Sequence, residues 1–253
     1  MTMARIPLSR EWFRDWFGEE YLALYPHRDE EEARAAVDLF LEFLRADGTP
    51  RVLDVACGAG RHLRSLRDSG IRAVGLDLSA PLLGAARRYG RDDSLVRGDM
   101  RALPFRTGSF DGLTSFFTSF GYFEDSADDR KVLREMHRVL RPGGTFMLDY
   151  LNAARVRTSL VADDVRVTAG TRVIQRRAIE GDFVVKRIRI EPASGGGSSV
   201  FEERVRLYTF PELEELLVNA GLRTAHVHGR YDGTTFGPLS PRLIVSGHAE
   251  PLP

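Results

Sequence analysis

At 253 residues, with 43% hydrophobic and 28% charged side chains, the chain has the make-up of a globular protein: one large domain, or one domain with an insertion. Its 36 Lys and Arg balance 36 Asp and Glu, which excludes the broadly basic footprint of a nucleic-acid binder, and no apolar run reaches membrane-spanning length. The single cysteine, Cys57, excludes an internal disulfide and fits a reducing, cytoplasmic setting, and the N-terminus has no signal-peptide stretch.

Trp12, Phe13, Trp16, Phe17, Tyr21 and Tyr25 recur at helical spacing and predict an aromatic-faced helix. Ala33, Ala36, Val37, Phe40, Leu41 and Leu44 predict a second helix, ended near Asp47-Gly48. These make residues 1–50 a helical cap. From Arg51 the pattern alternates. Strand Val52–Ala56, a helix with Leu63 and Leu66, strand Ala73–Leu76 ending in Asp77, and helix Leu82–Tyr89 after the Ser79 N-cap follow in turn. Next come a short strand at Leu95–Val96, strand Phe110–Phe117, a helix opened by Ser126, and strand Thr145–Tyr150 after Pro142-Gly143-Gly144. Strands spaced by helices predict a parallel α/β sheet with right-handed crossovers over residues 51–152. Residues 153–209 then hold strand-like runs separated by Gly181-Asp182 and a Gly/Ser loop, which predicts an inserted antiparallel sheet. Thr209 and Glu212 have capping-box spacing for a helix ended by Gly221, and strands Thr224–His228 and Arg242–Gly247 complete the core in residues 210–253.

The stretch VLDVACGAGRH, Val52 to His62, is a strand leading into a turn bare of side chains. Gly58 and Gly60 lack Cβ, so a ligand can approach the backbone there, at the carboxyl end of the strands. Leu63 stands where a dinucleotide fingerprint needs its third glycine, and the Gly-Lys-Ser/Thr of a phosphate loop is absent. Asp77 ends the second strand, placed to accept from two ribose hydroxyls. Asp99 follows the third strand, placed to accept from an exocyclic amine, with Met100 to pack on a purine. Acids at strand ends without a phosphate cradle suggest a nucleoside with a cationic tail.

VLDVACGAGRH, GLDLS, RGDMRALPF, FDGLTSFFTSF and RVLRPGGTFMLDYLN, in this order over roughly residues 50–152, resemble the class I S-adenosylmethionine-dependent methyltransferases. The resemblance implies a Rossmann-like, seven-stranded, mostly parallel sheet whose last strand is antiparallel. It implies Asp54, Cys57, Gly58 and Gly60 beneath the methionine part of the cofactor, Asp77 at the ribose, and Asp99 and Met100 at the adenine. His62, Leu78, Phe116 and Tyr21 complete the implied cofactor set. The aromatic cap and the insertion look like the small-molecule branch that includes the amino-sugar N-methyltransferases. Tyr21-Leu22-Ala23-Leu24-Tyr25 matches that branch's Y-x-x-x-Y stretch, whereas Tyr122 replaces its histidine in Thr118-Ser119-Phe120-Gly121-Tyr122.

In-line methyl transfer needs alignment and water exclusion more than acid–base chemistry. Trp12, Trp16, Tyr21 and Tyr25 suit a cover over a cationic group. Residues expected beside a small-molecule acceptor are Tyr25, Arg28, Phe117, Ser119 and Tyr122, with Tyr122 and Tyr25 as the candidate catalytic side chains. Each has a plainer reading. The aromatic helix serves equally as core or as the face of a homodimer, Arg28 as a solvated arginine, and Tyr122 as a packed ring. Lys186–Ile190 reads as an exposed strand face balanced by Glu202 and Glu203. His226 and His228 share a strand face without an evident third ligand, so no metal is expected. Two other functions stay open: RNA or protein methylation, and non-catalytic binding of the cofactor. No membrane or nucleic-acid partner is expected.

Overall fold

A computed structural model describes residues 10–25, 29–88, 94–168, 170–192 and 197–251. Two short helices, α1 (Trp12–Trp16) and α2 (Glu19–Leu24), stand where one aromatic helix is expected. The break falls at Phe17-Gly18, where Gly18 takes an extended conformation and starts α2. Helix α3 (Glu30–Phe43) is capped by Asp29, whose side chain accepts from the Glu31 N–H at 2.8 Å.

The alternating elements then follow: β1 (Arg51–Val55), α4 (Arg61–Asp68), β2 (Arg72–Asp77), α5 (Ala80–Arg87), β3 (Leu95–Arg97), β4 (Phe110–Ser115), α6 (Ser126–Val139) and β5 (Leu140–Leu151). Ser79 caps α5 as expected, and the expected last residue of that helix, Tyr89, lies outside the described residues. Helix α6 opens at Ser126 as expected, capped by Asp125, whose side chain accepts from the Ala127 N–H. β5 begins earlier than Thr145 because Leu140 already pairs with Phe110, the ladder shifting register across the Pro-Gly-Gly turn.

Strands β10 (Leu222–His228) and β11 (Arg242–Ala249), after helix α8 (Phe210–Asn219), complete a seven-stranded sheet of order β10-β11-β5-β4-β1-β2-β3. β11 runs antiparallel to both neighbours, and β1–β5 pair in parallel. Strand periodicity sorts the core into two layers. Val52, Met147 and Ile244 meet α3 and α4, while Leu53, Val55, Phe146, Leu148, Leu243 and Val245 meet α6 and α8.

Helix α7 (Ala153–Ser159), capped by Asn152, leads from β5 into a separate antiparallel sheet of β6 (Asp163–Thr168), β7 (Thr171–Glu180), β8 (Phe183–Pro192) and β9 (Ser199–Arg206). The sequence gives α7 no separate signal amid the strand-like runs that follow. Helix α1 lies against this sheet, with the Trp16 and Phe201 rings 5.0 Å apart. Trp12, Phe13 and Trp16 are buried within the chain's own core, so the aromatic face expected at a lid or dimer surface is here an internal one.

Candidate active site

The turn from β1 into α4 runs through three left-handed residues, Ala56, Gly58 and Gly60. The carboxylate of Asp77, at the tip of β2, holds this turn. Its Oδ2 accepts from the Gly58 N–H and its Oδ1 from the Ser79 N–H, each at 2.8 Å. Burial pushes the Asp77 carboxyl upward, against these backbone donors. Asp77 remains on the wall of a cavity of about 550 Å³ above the strand ends.

That cavity brings together most of the residues singled out from the sequence. Tyr21, Tyr25, Cys57, Gly58, His62, Asp77, Leu78, Asp99 and Met100 line it, and so do Phe116, Phe117, Ser119 and Tyr122. Asp54 and Gly60 do not. Asp54 is buried beneath the turn, where its Oδ1 accepts from the Thr114 hydroxyl at 3.0 Å, and burial raises its pKa to about 7. Gly60 is bare for a packing reason: a Cβ there would lie 3.1 Å from Ala86 Cβ, so its smallness lets α4 approach α5. Trp12 and Trp16 are not on the wall either. Phe17 takes their place, with its ring 5.0 Å from Tyr21 and 5.8 Å from Tyr122. Arg28 lies outside the described residues. Cys57 is buried, and burial pushes its thiol well up, which suits a small residue under the turn rather than a nucleophile.

Asp99 is engaged more heavily than its strand-end position suggests. Arg101 donates to it through its backbone N–H at 2.9 Å and through its guanidinium, with Nη2 2.6 Å from Oδ2. Burial opposes the charge, but Arg101 holds the Asp99 carboxyl below the usual range. The same guanidinium reaches Asp128 at 2.9 Å and Glu11 at 2.8 Å, and covers the Phe123 ring. It thereby fastens the start of α1 to the loop after β3.

On the far side of the aromatic wall lies a second chamber of about 250 Å³. Phe17, Tyr21, Phe117 and Tyr122 line both cavities. Phe117 and Thr118 both adopt left-handed backbone, which is why β4 stops at Ser115 and not at Phe117. Asp149 of β5 stabilises this bend: its Oδ2 accepts from the Phe117 N–H at 2.7 Å and its carbonyl from the Thr118 N–H at 3.0 Å. Arg242 of β11 grips the same carboxylate at 2.6 and 2.5 Å, stacks over Phe117, and Tyr231 adds a hydroxyl donor.

The antiparallel sheet supplies the other wall. Lys186 there donates to Glu203 and to the Tyr25 hydroxyl, each at 3.0 Å. The expected pairing of this strand with Glu202 and Glu203 holds, with Arg187 3.0 Å from Glu202. The expected exposure of Lys186 does not, because its side chain is only 18% exposed and faces the chamber. His226 and His228 stack on Phe43, away from both cavities.

Residues 53–148 match the family model described as a methyltransferase domain. The chain is 36% identical over 129 residues to a malonyl-[acyl-carrier protein] O-methyltransferase of Enterobacter lignolyticus, covering 51% of this chain and 49% of that protein. The chain spans about half the length, or less, of the first curated relatives it matches. It is 31% identical over 189 residues to the dTDP-3-amino-3,6-dideoxy-alpha-D-glucopyranose N,N-dimethyltransferase of Streptomyces fradiae, covering 72% of this chain and 73% of that one. Among solved structures, the CcbJ methyltransferase of Streptomyces caelestis superposes with a TM-score of 0.79 at 18% identity, over 93% of this chain and 98% of that one.

Proposed function

The chain belongs to the S-adenosylmethionine-dependent methyltransferases, and from this premise we propose that it transfers a methyl group to a small-molecule acceptor seated in the second chamber. The observation that carries this reading is the shared wall. A cavity of about 550 Å³ lined by Asp77 and Asp99 and a chamber of about 250 Å³ meet at Phe17, Tyr21, Phe117 and Tyr122.

The first cavity fits the cofactor on its own chemistry. Its polar wall has carboxylates at two neighbouring strand tips, Asp77 and Asp99, and its turn has no lysine to cradle a phosphate. Asp77 accepts from the Gly58 and Ser79 N–H groups, with the Leu78 N–H also directed at it, and a carboxylate's four acceptor positions leave capacity for a ribose hydroxyl. Leu78 and Met100 give the adenine an apolar bed. The rings of Phe17, Tyr21 and Tyr122 face the region where a cationic group belongs, at about 0.5–2 kcal/mol per contact. Bound there, the cofactor supplies a methyl group on a sulfonium, an electrophile with a good leaving group.

The residues around it then have to orient the acceptor and exclude water. The Asp149-braced bend fixes Phe117 and Ser119, and α1–α2 close the opposite side with Phe17 and Tyr21. Tyr122 and Tyr25 are the side chains proposed to position the nucleophile. The acceptor atom is nitrogen, oxygen or carbon. A chamber adjoining the cofactor cavity argues against non-catalytic binding. The family likeness spans small-molecule enzymes, and the one buried cysteine keeps a cytoplasmic location in the reading.

Calorimetric titration with S-adenosylhomocysteine tests the donor half, and release of that product from S-adenosylmethionine in an acceptor screen tests the rest. Absence of binding would remove the reading.

A further inference from the structure

The wall that the antiparallel sheet presents to the second chamber is charged in an ordered way. Arg177, Lys186 and Glu203 are direct cross-strand partners on β7, β8 and β9, so their side chains form one row on one face of the sheet. All three line the chamber, with Val184 and Val205 forming the next row.

The members of this row differ in what satisfies them. Lys186 and Glu203 neutralise each other at 3.0 Å, and Lys186 also holds the Tyr25 hydroxyl. Burial works against the Lys186 charge, yet Glu203 and Tyr25 keep its pKa above the ordinary lysine value, so this pair enters the chamber as a fixed ion pair. Arg242, on the opposite wall, is neutralised by the buried Asp149. Arg177 is different. Its guanidinium donates to the Gln175 side-chain oxygen at 2.5 Å and to the Val161 carbonyl at 3.4 Å, and among the described residues no carboxylate pairs with it. The chamber wall therefore carries one positive charge without a matching negative one. A partly buried guanidinium with donors to spare is built to meet a planar or tetrahedral oxyanion.

We propose that the second chamber selects an anionic acceptor, one bearing a carboxylate or a phosphate, and that Arg177 is the residue that recognises this group. The proposal rests on the methyltransferase reading. The anionic group docks at the Arg177 end of the row, and the remainder of the acceptor lies along Val184 and Val205 toward the wall of Phe117 and Tyr122. The Lys186–Tyr25 bond links the row to the first cavity, so the acceptor is seated against the same side chains that close over the donor. Arg177 acts in specificity and takes no part in bond making.

The test uses the whole chain loaded with S-adenosylhomocysteine, titrated in a calorimeter with inorganic phosphate, with malonate, and with malonamide as the neutral match. The expected result is binding of at least one anion and none of malonamide. Arg177→Ala should weaken the anion about tenfold or more, and Arg177→Lys should retain part of the affinity. Affinity for S-adenosylhomocysteine should be unchanged in both variants, which also reports that they fold. A preference for phosphate over malonate, or the reverse, identifies the anion. Failure of both anions to bind the loaded protein, or equal anion affinity in Arg177→Ala, overturns the proposal while the methyltransferase reading stands. Failure of S-adenosylhomocysteine to bind overturns both.

Discussion

The backbone N–H of Gly58 donates to Asp77 Oδ2 at 2.8 Å, so the turn after β1 is held by the carboxylate at the tip of β2. One side chain thus shapes the backbone under the first cavity and lines the cavity above it. Removing it disturbs both.

Asp77→Ala is expected to weaken S-adenosylhomocysteine binding by about 1–3 kcal/mol, roughly fivefold to 150-fold, from lost ribose acceptors and a looser turn. Calorimetry on the variant checks this, and an unchanged dissociation constant would take Asp77 out of the site.

Asp54 and Asp129 are both pushed by burial from an ordinary 3.8 up to about 7. Between roughly pH 4 and 7 the folded protein holds protons that the unfolded chain has released, so stability falls as pH rises through that window and levels off above it. Urea midpoints measured from about pH 5 to pH 8 should decline, and Asp54→Asn or Asp129→Asn should each flatten the decline. A profile that rises with pH would contradict the protonated, buried state of these carboxyls.

Asp149 accepts from Phe117, Tyr231 and Arg242 at once. Asp149→Ala leaves a mostly buried guanidinium with only the longer 3.7 Å contact to Glu32 and removes the side-chain brace on the left-handed Phe117. A loss of about 3–5 kcal/mol of unfolding free energy is expected. Chemical denaturation reads it directly, and a change below about 1 kcal/mol, the size of an exposed pair, would show that the network is not what holds the bend.

Arg101 joins Glu11, Asp99 and Asp128. In Arg101→Ala, amides of α1 should exchange with solvent about tenfold faster while those of β1 and β5 keep their rates, because the tie to Glu11 governs local opening rather than global unfolding. Uniform acceleration across both regions would instead make Arg101 a residue of global stability.

Much of this architecture was legible in the sequence because strand and helix periods leave different marks. Phe146–Leu148 is a continuous apolar run buried on both faces, Val52–Val55 is one interrupted only by the buried Asp54, and Asp77 and Asp99 stand out as acids at or just past the ends of β2 and β3. What stayed hidden depends on register and on three-dimensional approach. The row of Arg177, Lys186 and Glu203 exists because β7, β8 and β9 pair in one particular alignment, and alternation alone cannot say which face of a charged strand meets a cavity. Gly60 looked like ligand clearance because Ala86, the atom it makes room for, is 26 positions further along. Arg101 was in view within RGDMRALPF beside Asp99, but its other partners, Glu11 and Asp128, come from the start of α1 and from α6. Trp12 and Trp16 had the right spacing for a lid and are core because the inserted sheet comes down on them.

The placement of that sheet gives the chain two independent dials. Contacts proposed for the methyl donor arise from the tips of β1, β2 and the loop after β3, whereas the charges proposed to face the acceptor arise from β7–β9, a segment that leaves the core after β5 and rejoins it before α8. On the proposed function, rewriting residues 171–206 offers a way to redirect the chain to new molecules, as one would exchange a tool head, with the powered end untouched.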